Sequence, residues 1–221
     1  MLDTLEGNGY RDDTMVWFTT DNGPEVNCHP EGICEGAPHR PTAAPGSAGP
    51  LRGRKRDLWE GGHRVPTVVS WPAVVGAQAP ARASWELVVT TDFLATVMDA
   101  LGVDRPAAQR DWAFDGRSVL PILRGGAWPD AREVGWAYNN WPYDTSNGYG
   151  YRSGSWKLVV GSTSCGWANC SVPMLFDLAS DLGETRDLAA ARPDVLAAML
   201  TNVSAWADTV TRSRAIESLC P

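Results

Sequence analysis

Thr14-Met15-Val16-Trp17-Phe18-Thr19-Thr20-Asp21-Asn22-Gly23-Pro24 is the stretch that orders the rest of the chain. Its first six residues are rich in β-formers and do not alternate apolar with polar. That pattern predicts a short strand covered on both faces, as in a parallel sheet. The strand runs into a carboxylate and an amide, and ligands of open α/β sheets bind at that end of the strands. Asp21 and Asn22 are hard oxygen donors suited to Ca2+ or Mg2+, and two donors are fewer than such an ion takes. Asp-Asn-Gly is equally strong turn chemistry, so spacing alone leaves both readings open.

Downstream lies a glycine-bearing basic loop, Gly49-Pro50-Leu51-Arg52-Gly53-Arg54-Lys55-Arg56. Its glycines let the backbone approach an anion, and a lysine ammonium acts as a point charge toward sulfate or phosphate. The spacing is not that of a P-loop, and a solvated basic turn is the alternative. Glu60, followed by Gly61-Gly62, is expected to fix this loop by pairing with Arg64 or Arg52 rather than to do chemistry. Cys28, His29, Cys34 and His39 do not have the spacing of a zinc finger or ribbon. His63 reads as a packing or surface residue.

The remaining elements are legible more coarsely. Residues 2–12 read as the tail of a helix and a turn, and Gly23 to Lys55 as one long surface loop. Val65–Trp71 predicts a second strand ended by Pro72. Thr91 or Asp92 is positioned to cap a helix through Phe93, Leu94, Val97, Met98 and Leu101, with Gly102 as its stop. Strands are expected at Glu133–Tyr138, Tyr149–Arg152, Trp156–Val160 and Met174–Leu178, with Arg152-Ser153-Gly154-Ser155 turning a hairpin. A last helix starts near Pro193 and carries the apolar stripe Val195, Leu196, Met199, Leu200, Val203 and Trp206. A boundary near 130 divides an α/β portion, 1–130, from a small α+β portion, 131–221.

The 221 residues are 43% hydrophobic and 20% charged, with a formal net charge of −7. An acidic balance argues against a general nucleic-acid binder, and no apolar run is long enough for a membrane span. The five cysteines include two close pairs, Cys28/Cys34 and Cys165/Cys170, with Cys220 left over. Close pairs in loops suggest short-range disulfides and an oxidising compartment, and the sequons at Asn169 and Asn202 point the same way. Met1 opens into Leu2-Asp3-Thr4-Leu5-Glu6 with no signal-peptide pattern. A secretory protein whose true N-terminus lies upstream is therefore expected. The oligomeric state is not legible.

On these residues the chain resembles the C-terminal half of the arylsulfatases, in the alkaline-phosphatase-like superfamily. Thr14–Pro24 looks like that family's strand and Ser/Thr-Asp-Asn-Gly turn. Gly49–Pro66 is similar to its G-P-L-R-G-x-K-x-x-x-W/Y-E-G-G-x-R-V-P block. Thr91–Thr96 with Leu101-Gly102, Asp115–Leu123, Arg152–Lys157 and Phe176–Glu184 resemble its later motifs. The resemblance implies a partial alkaline-phosphatase-like sheet with flanking helices, plus a small C-terminal antiparallel sheet packed with a helix. It implies sulfate-ester hydrolysis, with Asp21 and Asn22 as two Ca2+ ligands and Lys55 as a sulfate contact. The implied partner is a sulfated small molecule or glycan. The family's nucleophile is a formylglycine made from C/S-x-P-x-R. No such motif occurs here, and Cys28-His29-Pro30-Glu31-Gly32 only imitates its start. A fragment, inactive alone, is therefore expected. The alternatives are a non-catalytic secreted glycoprotein that binds sulfated glycans through residues 52–56, and a phosphate or phosphonate ester hydrolase of the same superfamily.

Overall fold

The computed structural model describes residues 1–28, 34–35, 45–76, 82–107, 115–137, 148–161 and 172–217. In chain order the elements are α1 (Leu2–Gly7), β1 (Val16–Thr19), β2 (Val26–Cys28), β3 (Cys34–Glu35), β4 (Pro45–Gly46), α2 (Glu60–His63), β5 (Thr67–Ser70), α3 (Pro72–Val75), α4 (Asp92–Leu101), α5 (Leu120–Leu123), β6 (Glu133–Ala137), β7 (Tyr149–Ser153), β8 (Trp156–Val160), β9 (Met174–Asp177) and α6 (Pro193–Glu217). They form two compact units, one of residues 1–19 with 67–131 and one of residues 20–66 with 132–221. The Asp21–Asn22 turn and the basic loop belong to the same unit as the C-terminal sheet.

The first unit corrects two expectations. β1 does not lie in a parallel arrangement: it pairs antiparallel with β5, Val16 opposite Ser70 and Thr19 opposite Thr67. Nor are both its faces covered, because Phe18 and its partner Val68 are 63% and 59% exposed. An unalternating apolar run reports burial only if other elements lie on both sides, and here the run is half covered. Trp17 packs edge-on to Phe93 at 5.6 Å.

α4 stops where expected, with Gly102 in the left-handed region at φ 61° that the C-terminal position requires. Its buried face is not the apolar one, since Phe93, Leu94 and Leu101 are exposed. Asp92 and Thr96 are turned inward instead. Asp92 accepts hydrogen bonds from the amides of Val89 (2.8 Å) and Arg117 (2.7 Å), and Thr96 Oγ1 accepts from the amide of Val119 (3.0 Å). Buried polar groups are tolerated when satisfied, and these tie residues 115–120 to the helix. Asp92 is therefore a tie between segments, and Thr91 at the cap position makes no side-chain capping bond.

In the second unit the stretch read as one loop contains three short strands, in the order β3-β2-β4. The larger sheet runs β6-β7-β8-β9, antiparallel throughout. Ser153 opposes Trp156, so Gly154 and Ser155 make the hairpin turn. Strand alternation gives this sheet two covered faces. Tyr151, Leu158 and Leu175 pack on Met199 and Val203 of α6. Val159 and Phe176 pack on Leu58 and Trp59. The segment before α2 thus serves as a lid on the sheet, and Lys157, two residues from Val159, points the same way.

Candidate functional site

Asp21 is exposed and Asn22 half-buried in the bend that follows β1. Two main-chain bonds fasten this bend to the basic loop. The Gly23 amide donates to the Gly62 carbonyl at 2.9 Å, and the Lys55 amide donates to the Pro24 carbonyl at 2.9 Å. The backbones approach so closely that a Cβ on Gly23 would overlap the Gly61 carbonyl oxygen, and one on Gly62 would overlap the Asp57 carbonyl oxygen. Glu60-Gly61-Gly62 is glycine-rich because other main chain lies against it. The segments that carry the Asp-Asn pair and Lys55 are thus joined through main chain within the same unit.

The four cations of the loop divide into two kinds. Arg52 donates to the Glu184 carbonyl at 3.0 Å and lays its guanidinium 3.7 Å over the Trp59 ring. Arg54 donates to the Glu25 carbonyl at 3.3 Å, while its amide bonds Asp57 at 2.9 Å. These two hold the loop together. Lys55 and Arg56 instead face the Glu25 carboxylate at the surface, at 3.6 and 2.7 Å. The Arg56 hydrogen bond holds the Glu25 carboxyl below its ordinary range. A carboxylate therefore stands beside the Lys55 ammonium.

Beneath the loop lies a dry cluster of charges. Glu60 is 1% exposed and Lys157 and Glu184 are 0% exposed. Lys157 Nζ lies 2.9 Å from Glu60 Oε1, 2.7 Å from Glu184 Oε1 and 3.2 Å from His63 Nε2. Glu60 Oε2 takes Arg64 at 3.1 Å, and the Glu60 amide donates to Glu184 Oε2 at 2.6 Å. Burial, the largest single influence, would raise the Glu60 carboxyl; the charge and hydrogen bond of Lys157, with His63 and Arg152, together outweigh it and hold the group at about 2. Burial, then the Lys157 charge, pushes His63 down to about 3, so its ring is neutral and stacks on Trp136 at 4.4 Å. Burial raises Glu184 despite the same lysine.

The expected Glu60–Arg64 pair is present, and Arg52 goes to Glu184 and Trp59 instead. Lys157 and Glu184 carry no role in the sequence reading. The available signal was a lone charge inside the apolar run Trp156-Lys157-Leu158-Val159-Val160, which an outward-facing strand position also explains.

Asn202 lies within α6, half-buried, and its amide nitrogen donates to Glu133 at 2.8 Å, so the atom a glycan would join is engaged. Asn169, Cys165, Cys170, Cys220, His29 and His39 lie outside the described residues. Cys28 stands opposite Cys34 in the β2–β3 register. Among the described residues no three His, Cys, Asp or Glu side chains gather closely enough to hold a metal. Asp21 and Asn22 have oxygen donors of the kind that suits a hard divalent cation, and two are fewer than such an ion takes. No described helix is long and apolar enough to cross a membrane.

Comparison with known proteins bears on this arrangement. A family described as Sulfatase matches residues 1–103, and one described as N-sulphoglucosamine sulphohydrolase, C-terminal matches residues 54–203. Mouse steryl-sulfatase is 32% identical over 209 residues, covering 85% of this chain and 31% of that protein. A solved Bacteroides thetaiotaomicron structure from a locus for glycosaminoglycan metabolism superposes with a TM-score of 0.68 at 23% identity, over 94% of this chain and 41% of that one. The phosphonate monoester hydrolase of Agrobacterium radiobacter shares the fold at a TM-score of 0.51 and 21% identity, over 96% of this chain and 37% of that one. The chain spans about a third of the length of the longer curated relatives it matches.

Proposed function

This chain belongs to the sulfatase family, and we propose that it is the C-terminal part of a sulfuric ester hydrolase, supplying Asp21 and Asn22 to a Ca2+ site and Lys55 to the substrate sulfate. The reading is carried by the pair of main-chain bonds, Gly23 to Gly62 and Lys55 to Pro24, that fasten the donor turn to the cationic loop. The cation, when bound, supplies a positive charge for the ester's sulfuryl oxygens. The Asp21 carboxylate and the Asn22 amide oxygen would supply part of its ligands. The Lys55 ammonium leaves Glu25 for a sulfate oxygen and favours the charge that grows there as the S–O bond breaks. The remaining ligands and the formylglycine belong to the N-terminal region present in longer relatives.

Residues 1–130 are the C-terminal portion of the catalytic α/β domain and 131–221 its small subdomain. The substrate is a sulfated small molecule or glycan. The close cysteine pairs support a secretory, disulfide-forming compartment, with Asn169 as the glycan acceptor favoured over the engaged Asn202. The same cation and lysine serve a phosphate or phosphonate ester, so the assay must offer all three.

The test joins this chain to the N-terminal region of a longer relative and measures hydrolysis of an aryl sulfate, an aryl phosphate and an aryl phosphonate. Sulfate turnover is expected to dominate, and Asp21→Ala to abolish it with loss of bound Ca2+. Full activity in that variant refutes the ligand assignment. Preference for phosphonate moves the protein to the other branch. Sulfated-glycan binding without turnover favours the non-catalytic reading.

A further inference from the structure

We infer that Lys157, braced by Glu184, is a positioning residue: acting through Glu60, it sets where the Asp21–Asn22 turn and Lys55 stand. The inference deepens the proposed function and rests on its reading of those three residues.

Three segments far apart in sequence converge on one ammonium. β8 brings Lys157, the turn after β9 brings Glu184, and the first residue of α2 is Glu60. Glu184 bridges α2 and β8, because its Oε2 accepts the Glu60 amide while its Oε1 stands beside the Lys157 ammonium. To do this Glu184 sits at φ 52°, in the left-handed region. A non-glycine residue is held there at an energetic cost, and only where its surroundings demand it.

From Glu60 the fixation passes outward along main chain. The Gly61 amide donates to the Arg52 carbonyl at 2.7 Å, and the Gly62 carbonyl receives the Gly23 amide. Gly23 directly follows Asn22. Lys157 is thus three short links from the proposed metal donors: Glu60, the glycine pair, then the turn. Its own side chain touches neither the turn nor Lys55 in any described contact, so its action is indirect.

The chemistry chosen for this spot argues for orientation over adhesion. Apolar residues of the same volume usually hold a buried site as well as an ion cluster does, or better. Apolar contacts are non-directional, whereas the Lys157–Glu60 hydrogen bond and the bond from the Glu60 amide to Glu184 fix angles as well as distances. The supports of metal-binding residues are typically of this hydrogen-bonded kind.

The test uses the 221-residue chain with two NMR readouts, exchange of individual amides and line broadening by Mn2+, a hard-ligand paramagnetic probe. The variants are Lys157→Met, Lys157→Arg and the charge-neutral set Lys157→Met with Glu60→Gln and Glu184→Gln. The neutral set removes the three fully buried charges together, Arg64 being only partly buried, and keeps the experiment readable if Lys157→Met alone unfolds. The expected result is at least tenfold faster exchange at Gly23 and Lys55 in the neutral set, with Leu158 and Leu175 unchanged. The Mn2+ concentration that broadens Gly23 should rise by a similar factor, and Lys157→Arg should restore part of both. Unchanged exchange at Gly23 and Lys55 in a folded neutral set overturns the inference. So does loss of Leu158 and Leu175 protection in every variant, which would make Lys157 a residue of the fold alone. Asp21→Asn separates the two claims, since it should abolish broadening and leave exchange intact. If Mn2+ broadens nothing in the parent chain, the two donors alone hold no ion, the metal reading is judged by the joined protein of the preceding section, and the exchange result still judges Lys157.

Discussion

Lys157 Nζ lies 2.9 Å from Glu60 Oε1, and neither side chain is more than 1% exposed. This pair joins a strand of the C-terminal sheet to the helical turn beneath the basic loop, and most of the consequences below descend from it.

Glu60→Gln removes one carboxylate and leaves Lys157 and Arg64 short of a counter-charge. Breaking a buried pair on one side costs about 3–5 kcal/mol. Chemical denaturation of the variant should show a loss of that size. A loss below about 1 kcal/mol would mean that water reaches the cluster freely.

Acid should destabilise this unit in two stages. His63 is held down to about 3 from 6.5, so between those values the unfolded chain binds a proton that the folded chain refuses. Stability from that group is complete above pH 6.5 and is lost as pH falls through the window, at up to about 1.4 kcal/mol per pH unit. Glu60, held at about 2, adds its loss only below 4.5. Glu184 is raised, so it acts in the opposite sense above 4.5 and offsets part of the slope. The melting temperature should fall from pH 6.5 downward. His63→Phe, which keeps the ring against Trp136, should flatten the upper stage.

Gly62→Ala places a methyl against the carbonyl oxygens of Asp57 and Arg54, both main chain. Backbone yields less than a flexible side chain, so a cost of about 1–3 kcal/mol is expected. The Gly23 and Lys55 amides should exchange faster in this variant, which hydrogen exchange followed by NMR reads directly.

Glu25→Gln removes the carboxylate that faces Lys55 and Arg56. Exposed ion pairs are weak, so the melting temperature should hardly move. Sulfate affinity, read from shifts of the Lys55 side chain, should rise about threefold, and the gain should shrink in high salt. No gain would show that Glu25 does not compete with anions.

Cys28 and Cys34 occupy facing positions of an antiparallel pair. Such positions hold their Cα atoms about 4.5–5.5 Å apart, inside the disulfide range. Mass spectrometry of protein made in an oxidising compartment should find peptides containing residues 28 and 34 linked, gaining two hydrogens on reduction. Free thiols at both positions would refute the pairing.

Local signals in the sequence carried the secondary structure well. The hairpin at Gly154, the stop at Gly102 and the stripe of α6 each follow from residues within a turn or two of each other. Long-range arrangements were legible only where they reused a motif. The strand through Val16 and Phe18 reads as a covered one because an apolar run does not state which neighbour covers it. α4 turned Asp92 and Thr96 inward because amides from residues 89, 117 and 119 satisfy them, and no periodicity announces a distant amide. The site divided the same way. Asp21, Asn22 and Lys55 lie on quoted motifs and the fold gathers their segments. Lys157 and Glu184 stayed invisible because their partner, Glu60, is 97 and 124 residues away.

That separation has a consequence on the ribosome. Glu184 is translated 124 residues after Glu60, which at about 5–20 residues per second is an interval of roughly 6–25 s. Through that time the nascent strip from Asp21 to Arg64 has no sheet to lie on, and its glycines and cations are open to chaperones, proteases and premature ions. Synthesis of the final third of the chain, rather than of the loop itself, sets the moment at which this region acquires its shape.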